Sequence, residues 1–195
     1  MAASLHEPYP PDLADDPPEL GLPGEPRLEL GGGVVRGDLV GRSLRTLDLT
    51  DVRVEPADWA NLRAPRAAWS RVELREVRLT GAELGESTLR DVAFAGCRLD
   101  LTALRAARLE RVVFADCRLE ELDLYGAKLV DVRFDRCGLR EATVSGATFE
   151  RCELRGCDLA GLRGVEHLAG VRMTWDDVLA NAPVFAGALG IELVD

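Results

Sequence analysis

The sequence predicts an all-β solenoid, a chain wound into stacked four-sided coils and closed at its C-terminal end by short helices. Three observations predict it. From Gly37 to Glu166 the chain divides into 26 pentads without loss of frame, and the central residue is apolar in 25 of them, Gly164 being the exception. The first position of the pentad is mostly small or moderately apolar, and the other three carry nearly all the charge. A period of 20 runs inside the five-residue rhythm. Phe94, Phe114 and Phe134 share it, as do Cys97, Cys117, Cys137 and Cys157, and so do Asp91, Arg111, Asp131 and Arg151 with alternating sign. A fixed period held this long marks stacked units. Neither a helical period nor strand alternation yields five; a chain that turns a corner every five residues does, with four sides to a coil of 20. Backbone pairing between coils sets a rise of about 4.8 Å, so six and a half coils make a rod of roughly 30 Å.

The elements follow in order. Residues 1–26 hold Pro8, Pro10, Pro11, Pro17, Pro18, Pro23 and Pro26 with Gly21, Gly24 and scattered acids. Few large apolar residues are available to offset ordering entropy, so this arm is expected to be disordered or loosely docked. Arg27–Arg36 alternates weakly and reads as a strand that caps the first coil, and the solenoid proper occupies 37–166. Arg42 falls at an inward position, where an unpaired charge is not tolerated, so the first coil is expected to fray or turn until Arg42 reaches solvent. Glu55–Ser70, with Pro56 and Pro65, is expected to be a deformed coil. In 167–195, Thr174-Trp175-Asp176-Asp177 fits a capping box, opening a helix with Val178 and Leu179 on its buried side. Pro183–Leu189 reads as a second helix, stopped by Gly190, and Ile191–Val194 as a short final strand. A solenoid needs such a cap at its open end.

Charge is distributed unevenly. The net charge is −10, but residues 1–36 hold seven acids against two bases and residues 167–195 four against one, which leaves the repeat block with 23 acids and 21 bases. No apolar run is long enough to span a bilayer, and MAASLHEPYP has neither the basic nor the apolar region of a secretory leader. Five cysteines without such a leader point to free thiols in a reducing, cytoplasmic setting.

The chemistry-bearing residues point away from catalysis. All five cysteines, Cys152 included, take the small inward pentad position, and a 20-residue ladder sets them in line rather than at four tetrahedral vertices. They read as structural thiols. His6 and His167 are the only histidines, and neither finds a nucleophile or paired carboxylate within a coil. No catalytic, cofactor or metal residues are expected, nor direct nucleic-acid or membrane binding. One face carries a flat apolar set, Ala93, Ala95, Val113 and Ala115, the candidate partner surface.

The motif A/C-x-L/F-x-x over 26 consecutive units resembles the pentapeptide-repeat family, whose fold is a right-handed quadrilateral parallel β-helix. The resemblance covers two thirds of the chain. Its best-understood members are quinolone-resistance proteins, dimeric rods that mimic duplex DNA and bind DNA gyrase or topoisomerase IV. It therefore implies a non-enzymatic protein acting by surface presentation, a type II topoisomerase as partner, and modulation of that enzyme or protection from its inhibitors. It also implies a homodimer through the C-terminal segment, with Trp175, Leu179, Phe185 and Leu189 as the contact. The frame here is unbroken after Gly37, leaving no projecting loop, and the block is nearly neutral. The alternative is an interaction scaffold for an unrelated partner, reached through the apolar face or the N-terminal arm.

Overall fold

In a computed structural model, which describes residues 5–194, the chain is a parallel β-solenoid of about seven turns. Expectations for residues 1–4 and 195 fall outside the described residues. The strands are β1 (Arg27–Val35), β2 (Thr46–Val54), β3 (Ala68–Arg75), β4 (Thr88–Ala95), β5 (Arg108–Ala115), β6 (Lys128–Asp135), β7 (Thr148–Glu150), β8 (Glu153–Arg155) and β9 (Arg172–Met173). Strands one coil apart pair in parallel, β7 and β8 both with β6, and from β2 to β8 the register is 20 residues, as in Phe94↔Phe114 and Phe114↔Phe134. Each long strand covers two walls. The other two walls pair through single bridges at the same spacing, such as Arg78↔Arg98 and Glu83↔Ala103.

The inward pentad positions fill the rod. Leu79, Leu99, Leu119 and Leu159 are fully buried, each contributing about 1.5–3 kcal/mol by leaving water. Phe94, Phe114 and Phe134 stack face to face with centroids 4.7 and 4.9 Å apart. The five cysteines are buried and unpaired. Each Sγ donates to the carbonyl two residues earlier and to another 23 earlier, as Cys117 does to Ala115 and Phe94. Burial pushes the Cys152 thiol up to about 11.

The corner is made at the fifth pentad position. Every fifth residue from Asn61 to Gly161 has positive φ, whether or not it is glycine. A non-glycine residue there costs about 1–2 kcal/mol. The coil above offsets that cost, because the corner amide still reaches its carbonyl, Leu101 N to Glu120 O at 2.8 Å and Asp116 N to Asp135 O at 2.9 Å. The 55–70 coil keeps this plan, with bridges Asp58↔Arg78 and Arg63↔Glu83. Trp59 and Trp69 are buried edge to face inside it. Its one departure is Pro56, whose ring locks φ negative at a corner position.

Both ends are closed. β1 pairs with β2 along both walls and runs one residue short of the usual register. Leu20 and Leu22 from the arm pack on the core at this end. Arg42 does not simply reach solvent, since its guanidinium donates to the carbonyls of Pro23 and Glu25, both at 2.8 Å. At the other end α1 (Trp175–Ala180) opens with the expected capping box on Thr174 and Asp177, and α2 (Ala182–Ala188) follows with Pro183 in its first turn. Leu179 is 56% exposed, so α1 buries Asp177 and not Leu179. Residues 191–194 form no strand.

The reason α1 buries polar groups lies in the coil beneath it. There, Leu139 N donates to Asp158 O and Asp158 N to Cys137 O. One coil later no backbone stands above, and the Asn181 side chain takes its place. Oδ1 accepts from Leu159 N at 3.0 Å, and Nδ2 donates to Cys157 O at 3.1 Å. The Asp177 carboxylate likewise accepts from Gly156 N at 2.7 Å. Two side chains thus stand in for the missing coil and satisfy the last ladder groups.

Candidate interaction surfaces

Two surfaces stand out, and neither is a catalytic cleft. Among the described residues no group of His, Cys, Asp and Glu is arranged to hold a metal ion, and no helix is long and apolar enough to cross a membrane. Among the described residues, clefts lie on the outer walls and against the cap.

The first surface is the wall around the corner between β-strand halves. Its column reads Asp51, Arg71, Asp91, Arg111, Asp131, Arg151, alternating from coil to coil. Each arginine forks onto the aspartate one coil before it. Arg71 meets Asp51 at 2.6 and 2.6 Å, Arg111 meets Asp91 at 2.6 and 3.0 Å, and Arg151 meets Asp131 at 2.8 and 2.8 Å. The bidentate pairs hold the Asp51 and Asp131 carboxyls below the ordinary range, against the opposing pull of burial. At Asp91 burial is the largest influence and acts upward, but Arg111 and the Tyr9 amide outweigh it and the carboxyl also lies low.

The candidate partner residues Ala93, Ala95, Val113 and Ala115 sit two and four positions past this column, in adjacent pairs Ala93↔Val113 and Ala95↔Ala115. Val113 is only 8% exposed. The Pro-rich arm, expected to be disordered or loosely docked, lies along this wall. Pro8, Tyr9, Pro10 and Pro11 face Val72, Glu73 and Ala93 across a narrow cleft. The Glu7 carboxylate pairs with Arg133, and the Arg111 guanidinium lies 5.8 Å from the Tyr9 ring centroid. His6, Tyr9 and Asp12 each donate a backbone N–H to an aspartate of the column. Beyond Asp16 the arm reaches the N-terminal end, where Leu20 N donates to Val34 O at 2.7 Å and Val34 N to Pro18 O at 2.9 Å.

The second surface is the cap. Trp175 is 74% exposed and Leu189 76%, with Leu179, Ile191, Leu193 and Val194 also open to solvent. Of the four residues expected to make a dimer contact, Trp175, Leu179 and Leu189 face outward, whereas Phe185 packs partly against the core.

The filled four-walled interior, the 20-residue coil and the inward apolar pentad centres are accompanied by a sequence match. Residues 87–163 match the model of the pentapeptide repeat region. Over those residues the chain is a pentapeptide repeat. No curated protein matches the chain. Among solved structures the pentapeptide-repeat rod is similar to HetL, a pentapeptide repeat protein involved in heterocyst differentiation regulation from the cyanobacterium Nostoc sp. strain PCC 7120. Identity there is 21% and the TM-score 0.47, over 75% of this chain and 78% of that one. It is also similar to a trypsin-treated form of QnrB1, a plasmid-mediated fluoroquinolone resistance protein, at 17% identity and TM-score 0.35, over 86% and 92% of the two chains. A pentapeptide repeat protein from the Arabidopsis thaliana thylakoid lumen is similar at 17% identity and TM-score 0.29, over 76% of each.

Sequence reasoning missed two functional features of this pentapeptide-repeat rod. The end-capping role of Asp177 and Asn181 has no periodic signal, because it occurs once. The seating of the arm had one: Asp51, Asp91 and Asp131 recur every 40 residues, facing a segment whose non-proline positions 6, 9 and 12 recur every three.

Proposed function

We propose that the protein is a non-enzymatic binding rod that self-associates through its C-terminal segment and presents its walls to a protein partner in the cytoplasm. The exposed apolar cap carries this reading. Trp175 and Leu179 lie one turn apart on the outer side of α1, whose inner side is committed to closing the solenoid. A patch of large apolar residues kept in water on a rigid support is what a contact surface looks like. Five buried free thiols fit a reducing compartment. Light scattering tests the assembly: a dimer mass is expected for the wild type and a monomer mass for Trp175→Asp with Leu179→Arg. A monomeric wild type would sink it.

A type II topoisomerase, DNA gyrase or topoisomerase IV, is the partner put first by the pentapeptide-repeat resemblance. Gyrase supercoiling with and without a quinolone tests it, and no change at micromolar protein would remove that partner. A scaffold for an unrelated protein is the second reading, favoured by the alternating signs of the corner column, which form no continuous acidic strip.

A further inference from the structure

The arm and its wall share a register that the fold alone does not require. The amides of His6, Tyr9 and Asp12 donate to Oδ1 of Asp131, Asp91 and Asp51 at 3.3, 3.2 and 2.9 Å. The donors are three residues apart and the acceptors two coils apart. Two coils rise about 9.6 Å, and three residues of polyproline II rise about 9.3 Å. Polyproline II also brings every third residue to the same side, which keeps three amides on one line; a β-strand, with its two-residue alternation, turns the middle one away. From Leu5 to Asp12 burial follows the same period. Leu5, Pro8 and Pro11 are half-buried, while His6, Glu7, Tyr9, Pro10 and Asp12 are exposed. Prolines stand at 8, 10 and 11, where no amide is used, and never at 6, 9 or 12.

The wall supplies the complementary half. Sign alternation along the corner column returns an acceptor every second coil, and each aspartate is fixed by the arginine of the next coil while its Oδ1 takes the incoming N–H. In the adjacent column, Glu73, Ala93, Val113 and Arg133 stand in register. The small apolar residue lies beside the prolines, and Arg133 meets the Glu7 carboxylate.

The geometry points to this wall as a binding site for polyproline-II peptide, read one triplet to two coils, with the chain's own arm as its built-in occupant. The triplet is a proline or apolar residue against the wall, a residue with a free amide, and an outward residue. The ligand is a proline-rich segment of a partner chain that carries this pattern, with an aromatic near Arg111 and an acid opposite Arg133. Because it is tethered, the arm faces its wall at an effective concentration on the order of millimolar, so a partner segment must displace it. The inference rests on the reading of the chain as a binding rod. Its test involves neither a topoisomerase nor the cap, so the two can fail separately.

The probe is a fluorescein-labelled peptide of residues 5–16, titrated by anisotropy against the full chain and against a full-length variant with His6→Pro, Tyr9→Pro and Asp12→Pro. The substitutions raise the polyproline content of the arm while deleting all three donors, and circular dichroism checks that the rod is intact. The variant is expected to bind the probe at least tenfold more tightly than the wild type. A probe with one glycine inserted between Pro10 and Pro11 is expected to bind the variant at least tenfold more weakly. Equal affinity of the two proteins, equal binding of the inserted probe, or no saturable binding to the variant would each overturn the proposal. Hydrogen exchange on the wild-type chain gives a second reading without any variant: the amides of Tyr9 and Asp12 exchange more slowly than those of Glu7 and Leu13, and equal rates would overturn the register.

Discussion

Replacing Asn181 by leucine removes the side chain that stands in for the missing coil. Leucine keeps the branching at Cγ but has no polar atoms, so Leu159 N–H and Cys157 C=O both lose their partner under the cap. Each buried backbone group left unpaired costs about 1–3 kcal/mol. The bond from Nδ2 to Asp177 O, 2.9 Å, goes as well. A loss of about 3 kcal/mol follows from the two ladder groups, and in a chain of this length the melting temperature falls by about 2–4 °C per kcal/mol, or about 6–12 °C. Asn181→Asp retains the acceptor for Leu159 but sets a carboxylate oxygen against the carbonyls of Cys157 and Asp177 at a buried site, and is expected to cost at least as much. Because each coil contacts only its neighbours, the damage should begin at the end. Thermal unfolding by circular dichroism gives the total, and hydrogen exchange gives the place. In Asn181→Leu the amides of Gly156 and Leu159 should exchange faster while that of Leu79 is unchanged. A shift below 1 kcal/mol, or exchange at Leu159 equal to wild type, would refute the surrogate-backbone argument.

Three further outcomes are expected. Ser87 Oγ is buried with no hydrogen-bond partner, in a column where its neighbours are Ala67 and Ala107; Ser87→Ala should stabilise by about 1 kcal/mol, read as a rise in melting temperature, and a fall would contradict it. Phe114 is stacked on both faces, so Phe114→Ala should cost about 3–5 kcal/mol, and denaturation with separate probes in the N- and C-terminal coils should lose its coincidence; a cost under 1 kcal/mol would mean the stack is not closely packed. The Asp51, Asp91 and Asp131 carboxyls all lie below their unfolded value when folded, so their contribution is complete above about pH 4 and is lost as pH falls through the folded values. Stability should be level from pH 5 to 8 and drop below about 4, with the arm amides losing protection together with it; a loss confined to pH 5–7 would point to other groups.

The walls of the rod were legible in the sequence because burial repeats. Leu79, Leu99 and Leu119, the Phe stack and the cysteine ladder each occupy one environment many times over, and repetition turns a weak preference into a frame. The corner was less legible. Left-handed φ at the fifth position accepts Arg, Glu, Asp and Leu here as well as Gly, since the ladder hydrogen bond of the corner amide offsets the local strain. The residues there look like ordinary solvated charges. A signal was present in Asn61 and the glycines at 81, 96, 126, 146, 156 and 161, all in that one pentad position. The capping box of α1 was legible, but the side chains that close the last coil were not. Asn181 and Asp177 act once, and nothing in their neighbours marks a side chain that replaces backbone. The outward face of α1 was misread for the same reason: Leu179 looked like a core residue until Asp177 was needed inside.

Composition by itself does not place the arm. A segment rich in proline and acids cannot build its own core, and that argument for disorder is sound for an isolated chain. It does not apply where a neighbouring surface supplies acceptors at the helix's own spacing, because polyproline II makes no internal hydrogen bonds and leaves every amide free. The alternating signs of the corner column gain a second meaning from this. A uniformly acidic column would present an acceptor every coil, about 4.8 Å apart, so a peptide could seat in two positions one coil apart, and half the acceptors would meet no amide of a helix rising about 3.1 Å per residue. Alternation doubles the acceptor spacing to about 9.6 Å, and three residues then fit. The feature that keeps this wall from being a continuous negative strip is the one that gives it a register for an extended peptide.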